Sequence, residues 1–157
     1  MIEVPAAVFI AEEIAAESDF LSLGTNDLIQ YLLAVDRDNE NVSGWFRTLH
    51  PSVLRAIKHV IDSAKGTRKP LIICGEMAGS PYYLPVLIGL GATDLSMTVN
   101  SLGRVRRVIE GIDYAEVRTF ADELLSSGTA DNIEALVKDR NTTKWTHLFD
   151  EGPTVQK

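Results

Sequence analysis

The chain has 157 residues, a length that suits one domain of ordinary size. Its formal net charge of −7 and its scattered basic residues exclude the clustered positive surface that nucleic acids and anionic membranes require. With one cysteine, and no apolar run near the roughly 18 residues of a membrane-spanning helix, the sequence predicts a cytoplasmic protein without a disulfide within the chain.

Strand-like and helix-like segments alternate along the chain, a pattern that is typical of parallel βαβ units. The predicted strands are residues 1–4, 20–23, 71–74 and 94–97, and the predicted helices are residues 6–17, 28–35, 52–65, 82–90, 102–110, 114–126 and 130–138. Apolar residues recur at i, i+3 and i+4 in the 52–65 helix, which is therefore expected to pack on the sheet. The polar segment 141–157 is expected to form a loosely ordered C-terminal tail.

The segment of residues 19–37, DFLSLGTNDLIQYLLAVDR, combines a buried strand, a turn and the start of a helix. Gly24 lets the backbone approach a ligand, and the next three residues, Thr25, Asn26 and Asp27, are types that begin helices, whose free N–H groups attract anions. A carboxylate fits beside a bound phosphate if a divalent cation lies between them. Arg37 then follows one helix later, in position to reach the far side of that phosphate.

Three chemically capable side chains lie near the carboxyl ends of predicted strands. Glu3, Asp27 and Cys74 each lie at the carboxyl end of a strand or just beyond it, where parallel α/β barrels carry their working residues. Glu3 and Asp27 come from adjacent predicted strands, and we expect them to supply oxygens to one Mg²⁺ or Mn²⁺. Asn26 offers an amide to a phosphate oxygen.

Each of these residues also has a purely structural interpretation. Glu3 is compatible with a surface carboxylate, Asp27 with a helix cap and Cys74 with a small buried side chain. Arg37 has an aspartate on either side and is able to form a salt bridge with one of them. The three histidines are interpreted as structural or solvated: His50, His59 and His147.

Four ordered segments resemble the phosphoenolpyruvate-utilising enzymes, and the resemblance covers about residues 1–140. Residues 19–37 are similar to the second signature of that family, with SLGTNDLIQ and the trailing arginine in place. The other three segments are MIEVPAA at 1–7, similar to the strand with the first metal-binding carboxylate, IICGE at 72–76, similar to the strand with the acid/base cysteine, and DLSM at 94–97, similar to the last barrel strand. EMAG at residues 76–79 is most similar to enzyme I of the sugar phosphotransferase system and its nitrogen-related paralogue.

The resemblance implies a partial phosphoenolpyruvate-binding domain over residues 1–140: the second half of a (β/α)₈ barrel of the TIM type, with about four βα units and C-terminal helices. It implies the C-terminal part of a phosphoenolpyruvate-protein phosphotransferase, a transferase that binds phosphoenolpyruvate and Mg²⁺ or Mn²⁺ and passes phosphoryl to a histidine in another domain. By the resemblance, Cys74 is the catalytic acid, Asn26, Asp27 and Arg37 bind substrate, and Glu3 and Asp27 bind the metal. The implied partners are the remainder of the barrel, the phosphohistidine domain, a phosphocarrier protein and a second copy in a homodimer.

Two departures and two alternatives accompany this interpretation. Ser80 and Gly103 stand where enzyme I usually has aspartate and proline. A fragment of a dikinase or a phosphoenolpyruvate synthase is the alternative enzyme, although a dikinase would be expected to show His-Gly-Gly where this chain has Met77-Ala78-Gly79. A non-catalytic dimerisation or interaction module is the alternative from another class. We do not expect the isolated chain to be active alone.

Overall fold

The structure, a computed structural model, describes residues 1–149 as a mixed α/β fold. The strands are β1 (Leu21–Gly24), β2 (Leu71–Cys74) and β3 (Asp94–Leu95). The helices are α1 (Pro5–Phe9), α2 (Ala11–Ala16), α3 (Thr25–Leu33), α4 (Pro51–Gly66), α5 (Glu76–Gly79), α6 (Leu84–Leu90), α7 (Val99–Gly111), α8 (Tyr114–Ser126), α9 (Ala130–Thr143) and α10 (Thr146–Phe149), with a short 3₁₀ helix at Ser43–Trp45.

The three strands form one parallel sheet in the order β1, β2, β3. β1 and β2 pair along their whole length, from Leu21 opposite Leu71 to Gly24 opposite Cys74. Ile2 forms a single parallel bridge with Leu23, on the side of β1 that faces away from β2. The predicted parallel βαβ arrangement is confirmed. The first predicted strand is reduced to this bridge, and the fourth predicted strand to two residues.

The helices agree with the predicted segments to within a few residues, with one break and two additions. The predicted helix 6–17 is divided at Ile10, whose φ of −117° and ψ of 31° interrupt the helical backbone between α1 and α2. α3 begins at Thr25, directly at the end of β1, so the turn is shorter than the sequence predicts. α5 and α10 contain four residues each, too few for a hydrophobic period to reveal them.

Helices α6 and α8 make the closest helix–helix contact in the described fold. Gly89 of α6 is buried, and a Cβ on it would clash with the carbonyl oxygen of Val117 and lie 2.8 Å from the Cβ of Ala121, both in α8. The absence of a side chain therefore lets the two helices approach each other closely. The apolar face of α4, which includes Val53, Ile57 and Val60, is fully buried as its spacing predicts.

The C-terminal helices close the fold on the side of α8. α9 runs to Thr143, and the segment beyond it is anchored by the buried side chains of Trp145 and Leu148. The ring of Trp145 packs edge-on against Phe120 of α8, with 5.6 Å between ring centroids. Residues 141–143 end α9 and residues 146–149 form α10, while the loose order expected from residue 141 stays a prediction. The remaining part of that predicted tail, residues 150–157, lies outside the described residues.

The histidines have simple environments. His50 caps α4, with its Nδ1 accepting a hydrogen bond of 3.2 Å from the backbone N–H of Ser52. His59 and His147 are exposed. Among residues 1–149 the structure contains no helix that is both long enough and apolar enough to cross a membrane.

Replacing Gly89 by alanine is expected to destabilise the fold by about 1–3 kcal/mol, because the added methyl group overpacks the contact between α6 and α8. Gly103→Ala is the matched control, since Gly103 also lies within a helix but a Cβ there would meet no atom within 4 Å. The control is expected to be neutral or to stabilise by up to about 1 kcal/mol. Urea unfolding measures both free energies, and equal values would contradict the close packing of α6 on α8.

Candidate functional site

Two strand-to-helix turns meet at the carboxyl edge of the sheet. β1 runs directly into α3, and β2 runs into α5 through Gly75. Because the strands are parallel and Gly24 lies opposite Cys74, both turns begin at the same height on the sheet. The pairing therefore brings residues 25–27 beside residues 74–76.

Glu3 lies against the end of β1. The backbone N–H of Gly24 donates to the carbonyl of Ile2 over 2.9 Å, which holds the first segment beside the strand. A Cβ on Gly24 would lie only 2.8 Å from Oε2 of Glu3 and 3.2 Å from its Cβ. The glycine thus makes room for the glutamate side chain, whose carboxylate rests at the turn that carries Asp27.

Asp27 and Arg37 face each other across the loop that follows α3. The separation between Oδ1 of Asp27 and a terminal guanidinium nitrogen of Arg37 is 4.0 Å, and both side chains are about two-fifths exposed, at 45% and 40%. The ion pair that the structure gives Arg37 is therefore with Asp27, rather than with either flanking aspartate. Such a long, half-exposed pair contributes little to stability, so it leaves both groups accessible to a ligand.

Cys74 is half-buried at the last position of β2. Its sulfur lies 3.4 Å from the carbonyl oxygen of Leu23 and 3.8 Å from the hydroxyl oxygen of Ser22, both in β1. The thiol therefore points across the sheet toward β1 rather than into the packed core between sheet and helices. It also borders an open cavity, which distinguishes it from a small buried side chain that only fills space.

Thr25 and Asn26 tie the two turns together, a feature that sequence reasoning missed. The hydroxyl of Thr25 donates to the carbonyl of Cys74 over 2.9 Å, and Oδ1 of Asn26 accepts from the N–H of Glu76 over 2.9 Å. The second bond fixes the orientation of the Asn26 amide, and its NH₂ group is the part that can donate to a phosphate oxygen. Sequence indicated helix-starting residues here, but contacts 50 positions apart have no local signal.

A cavity of about 410 Å³ opens beside these turns. Its lining consists of Asn26, Cys74, Gly75, Glu76, Gly79, Ser96, Met97, Thr98 and Ser101. Three hydroxyl groups, from Ser96, Thr98 and Ser101, therefore face the same space as the thiol and the Asn26 amide. Sequence reasoning did not select them, although three Ser and Thr residues within residues 96–101, around the end of the predicted fourth strand, were the available signal.

The five predicted site residues divide into two groups. Asn26 and Cys74 share the cavity, while Asp27 pairs with Arg37 and Glu3 lies on Gly24, all three outside the cavity lining. Within residues 1–149 no group of three or more His, Cys, Asp or Glu side chains is arranged to bind a metal ion. Two carboxylates still match the needs of Mg²⁺, which usually takes one or two from the protein and completes its shell with phosphate and water.

A larger cavity of about 580 Å³ lies elsewhere, bordered by Arg47, Tyr82, Tyr83 and residues of α9. Arg47 donates to Glu134 and to Asp131, each over 2.6 Å. These hydrogen bonds raise the pKa of Arg47 above its already high ordinary value, and burial raises the pKa of Tyr82. These two bonds hold the loop before α4 against α9. We therefore interpret the role of Arg47 at this cavity as structural.

Residues 1–114 match the family model described as PEP-utilising enzyme, PEP-binding domain. Curated relatives extend the similarity to most of the chain. The chain is 44% identical over 138 residues to the phosphoenolpyruvate-protein phosphotransferase of Listeria monocytogenes serovar 1/2a. It is 41% identical over 139 residues to that of Bacillus subtilis (strain 168), and 40% identical over 139 residues to that of Haemophilus influenzae.

The coverage of these matches is unequal. In each of the three the alignment takes in 88% of this chain but 24% of the relative. The chain therefore spans about a quarter of the length of the curated relatives that it matches.

Proposed function

The chain belongs to the PEP-utilising enzyme family by its PEP-binding domain, and we propose that it is the C-terminal part of a phosphoenolpyruvate-protein phosphotransferase that binds phosphoenolpyruvate with Mg²⁺. The observation that carries this proposal is the meeting of two turns at one sheet edge. One turn carries Asn26 and Asp27, and the other carries Cys74. Phosphate binding and proton delivery are thereby available at adjacent points.

The proposed fold is the second half of a (β/α)₈ barrel, formed by residues 1–140. Within the described residues, neither Ile2 nor β3 pairs with a further strand on its outer side. Apolar side chains are exposed on the helices beside both open edges, with Phe9 81% and Val99 80% exposed. Leu102 and Ile109 continue the exposed stripe of Val99 along α7. A closing set of strands and helices would cover these surfaces.

Two carboxylates and one arginine are assigned to the charged end of the substrate. Glu3 and Asp27 would hold Mg²⁺ or Mn²⁺, which supplies charge stabilisation for the enolate that forms as phosphoryl leaves. Arg37 neutralises the phosphoryl group from the side of Asp27, because its guanidinium lies 4.0 Å from that carboxylate. The NH₂ group of Asn26 donates to a phosphate oxygen.

Cys74 is assigned the proton transfer. When the bond between phosphorus and the bridging oxygen breaks, that electron pair forms the enolate, and the phosphoryl group passes to a histidine outside the described residues. The enolate double bond then takes the proton of the Cys74 thiol at its methylene carbon, so a C–H bond forms, the S–H bond breaks and pyruvate results. The hydrogen bonds to β1 hold the sulfur at the cavity for this step.

The remaining proposals follow from the same assignment. The partners are phosphoenolpyruvate, the remainder of the barrel, the domain with the phosphorylated histidine, a phosphocarrier protein and a second copy in a homodimer. The protein would act in the cytoplasm, in a phosphotransferase system of the sugar or nitrogen-related branch.

Two other functions are weighed against this one. A dikinase or synthase fragment is disfavoured by the residues after Glu76, and the relatives reported above are phosphoenolpyruvate-protein phosphotransferases. A non-catalytic interaction module is favoured by the exposed apolar stripe of α7. Mg²⁺-dependent binding of phosphoenolpyruvate discriminates between the module and the enzyme, since only the enzyme requires it.

Asp27→Asn, in a protein that contains the complete barrel, is expected to weaken Mg²⁺-dependent binding of phosphoenolpyruvate by about 100-fold or more. The change keeps the side-chain shape and removes the negative charge that holds the metal. Asp62→Asn is the control, because Asp62 is an exposed aspartate of α4 that pairs with Lys58. Calorimetry measures the affinities, and an unchanged affinity for Asp27→Asn would exclude this carboxylate as a metal ligand.

Cys74→Ala separates binding from chemistry in the same complete protein. If the thiol delivers only a proton, the variant is expected to bind phosphoenolpyruvate with near-normal affinity and to lose pyruvate formation by at least about 100-fold. Calorimetry and a pyruvate assay measure the two quantities. Equal losses in both would indicate that Cys74 acts by packing.

The isolated chain is expected to self-associate at low micromolar concentration and to bind phosphoenolpyruvate poorly, because the apolar surfaces and sheet edges of the half-barrel are open. The double variant Val99→Lys and Leu102→Lys is expected to shift the chain toward the monomer. The double variant Asn132→Lys and Ala135→Lys, at two exposed positions of α9, is the charge-matched control. Sedimentation measures the association state. A monomeric wild-type chain with micromolar affinity for phosphoenolpyruvate would refute the half-barrel proposal.

A further inference from the structure

Thr25 follows β1 directly and forms a hydrogen bond with the backbone of Cys74, the proposed proton donor. Its side chain is 0% exposed, and its hydroxyl donates to the carbonyl oxygen of Cys74 over 2.9 Å. If this bond breaks, the buried hydroxyl of Thr25 is left without a hydrogen-bond partner, which costs free energy. This bond therefore favours one position of the Cys74 backbone relative to β1.

The turn after Cys74 is shaped to receive Thr25. Gly75 has φ of 99° and ψ of −178°, a backbone conformation that is essentially restricted to glycine. A Cβ on Gly75 would clash with the hydroxyl oxygen of Thr25 and lie 3.0 Å from Oδ1 of Asn26. The threonine hydroxyl thus occupies the space that a side chain at position 75 would need.

A second bond and two sulfur contacts come from the same short segment. Asn26 accepts from the N–H of Glu76, so consecutive residues of one turn bind both sides of Gly75. The thiol itself contacts the carbonyl of Leu23 and the hydroxyl of Ser22. Every one of these partners belongs to residues 22–26, which continue directly into Asp27.

On the basis of the proposed function, we propose that Thr25 is a positioning residue for Cys74. It couples the turn that carries the thiol to the turn that carries Asp27, so that the proton donor and the metal-binding carboxylate move together. Glu76 is the titratable side chain that shares the cavity lining with the thiol, and it is exposed. The coupling therefore depends on hydrogen bonds between neutral groups and on the close packing at Gly75, rather than on an interaction between charges.

Cys74 is the single cysteine of the chain, so its reaction with iodoacetamide reports directly on this coupling. Thr25→Val keeps the side-chain volume and removes the hydroxyl. We expect alkylation of the chain at neutral pH to become about fivefold faster, because the turn opens more often and releases the half-buried thiol. Thr25→Ser retains the hydroxyl and is expected to react at the wild-type rate.

Thr67→Val is the matched control, since it removes a comparable bond of 2.8 Å from a threonine hydroxyl to the carbonyl of Ser63 at the end of α4. It is expected to lower thermal stability without changing alkylation. A wild-type rate for Thr25→Val, or equal acceleration in both valine variants, would overturn the proposal because stability alone would then explain the data.

A measurement on the unaltered chain covers the case in which Thr25→Val fails to fold. The backbone N–H of Glu76 donates to Asn26 and so belongs to the coupled turns. This amide is expected to exchange its hydrogen at least about tenfold more slowly than an unprotected amide. Exchange at the unprotected rate would overturn the proposal. Neither measurement needs substrate, so a failure to bind phosphoenolpyruvate would count against the proposed function and leave the coupling intact.

Discussion

The pairing of β1 with β2 is the constraint on which the site depends. Their parallel register places Gly24 opposite Cys74, and this alone sets the two functional turns side by side. A slip of one residue would turn the thiol to the opposite face of the sheet, where the core is packed. It would also remove the bonds from Thr25 and Asn26, which span 49 and 50 positions of sequence. The buried face of the sheet fixes the register, since Leu21, Leu23, Leu71 and Ile73 all point into the same core.

Three of the charged groups at this sheet edge lie outside the cavity that Cys74 lines. Asp27, Arg37 and Glu3 lie in a half-exposed region, where solvent and a cation can reach them. The thiol contacts the hydroxyl of Ser22 and the carbonyl of Leu23, both in β1. The cavity lining also includes the carboxylate of Glu76, which is exposed. The connection between the two regions is made by two uncharged side chains, Thr25 and Asn26, through their hydrogen bonds to Cys74 and Glu76.

Much of this arrangement could be predicted from the sequence, and there are physical reasons why the rest could not. The apolar patterns of the sequence predicted the bounds of β1, β2 and α4 nearly to the residue, because each of these elements buries one face along its length. The positions of Cys74 at the end of one strand and of Asp27 shortly after another followed from those bounds. The helix break at Ile10 and the helix α10 did not, since a single non-helical residue and a four-residue helix leave no period in the sequence, and the contact of Trp145 with Phe120 joins residues far apart in the chain. The hydroxyls of Ser96, Thr98 and Ser101 were missed because they converge only after the chain has folded.

The double ion pair of Arg47 shows that helices beyond residue 114 support the loop that follows α3. The family match ends at residue 114, where α8 begins. Beyond that boundary, α8 supplies the surface against which α6 packs, and α9 supplies both carboxylates that hold Arg47. The loop restrained in this way is the one that carries Arg37 toward Asp27. α8 and α9 thus support this loop from a distant part of the sequence, so substitutions in these two helices can change the position of the Arg37 guanidinium relative to Asp27.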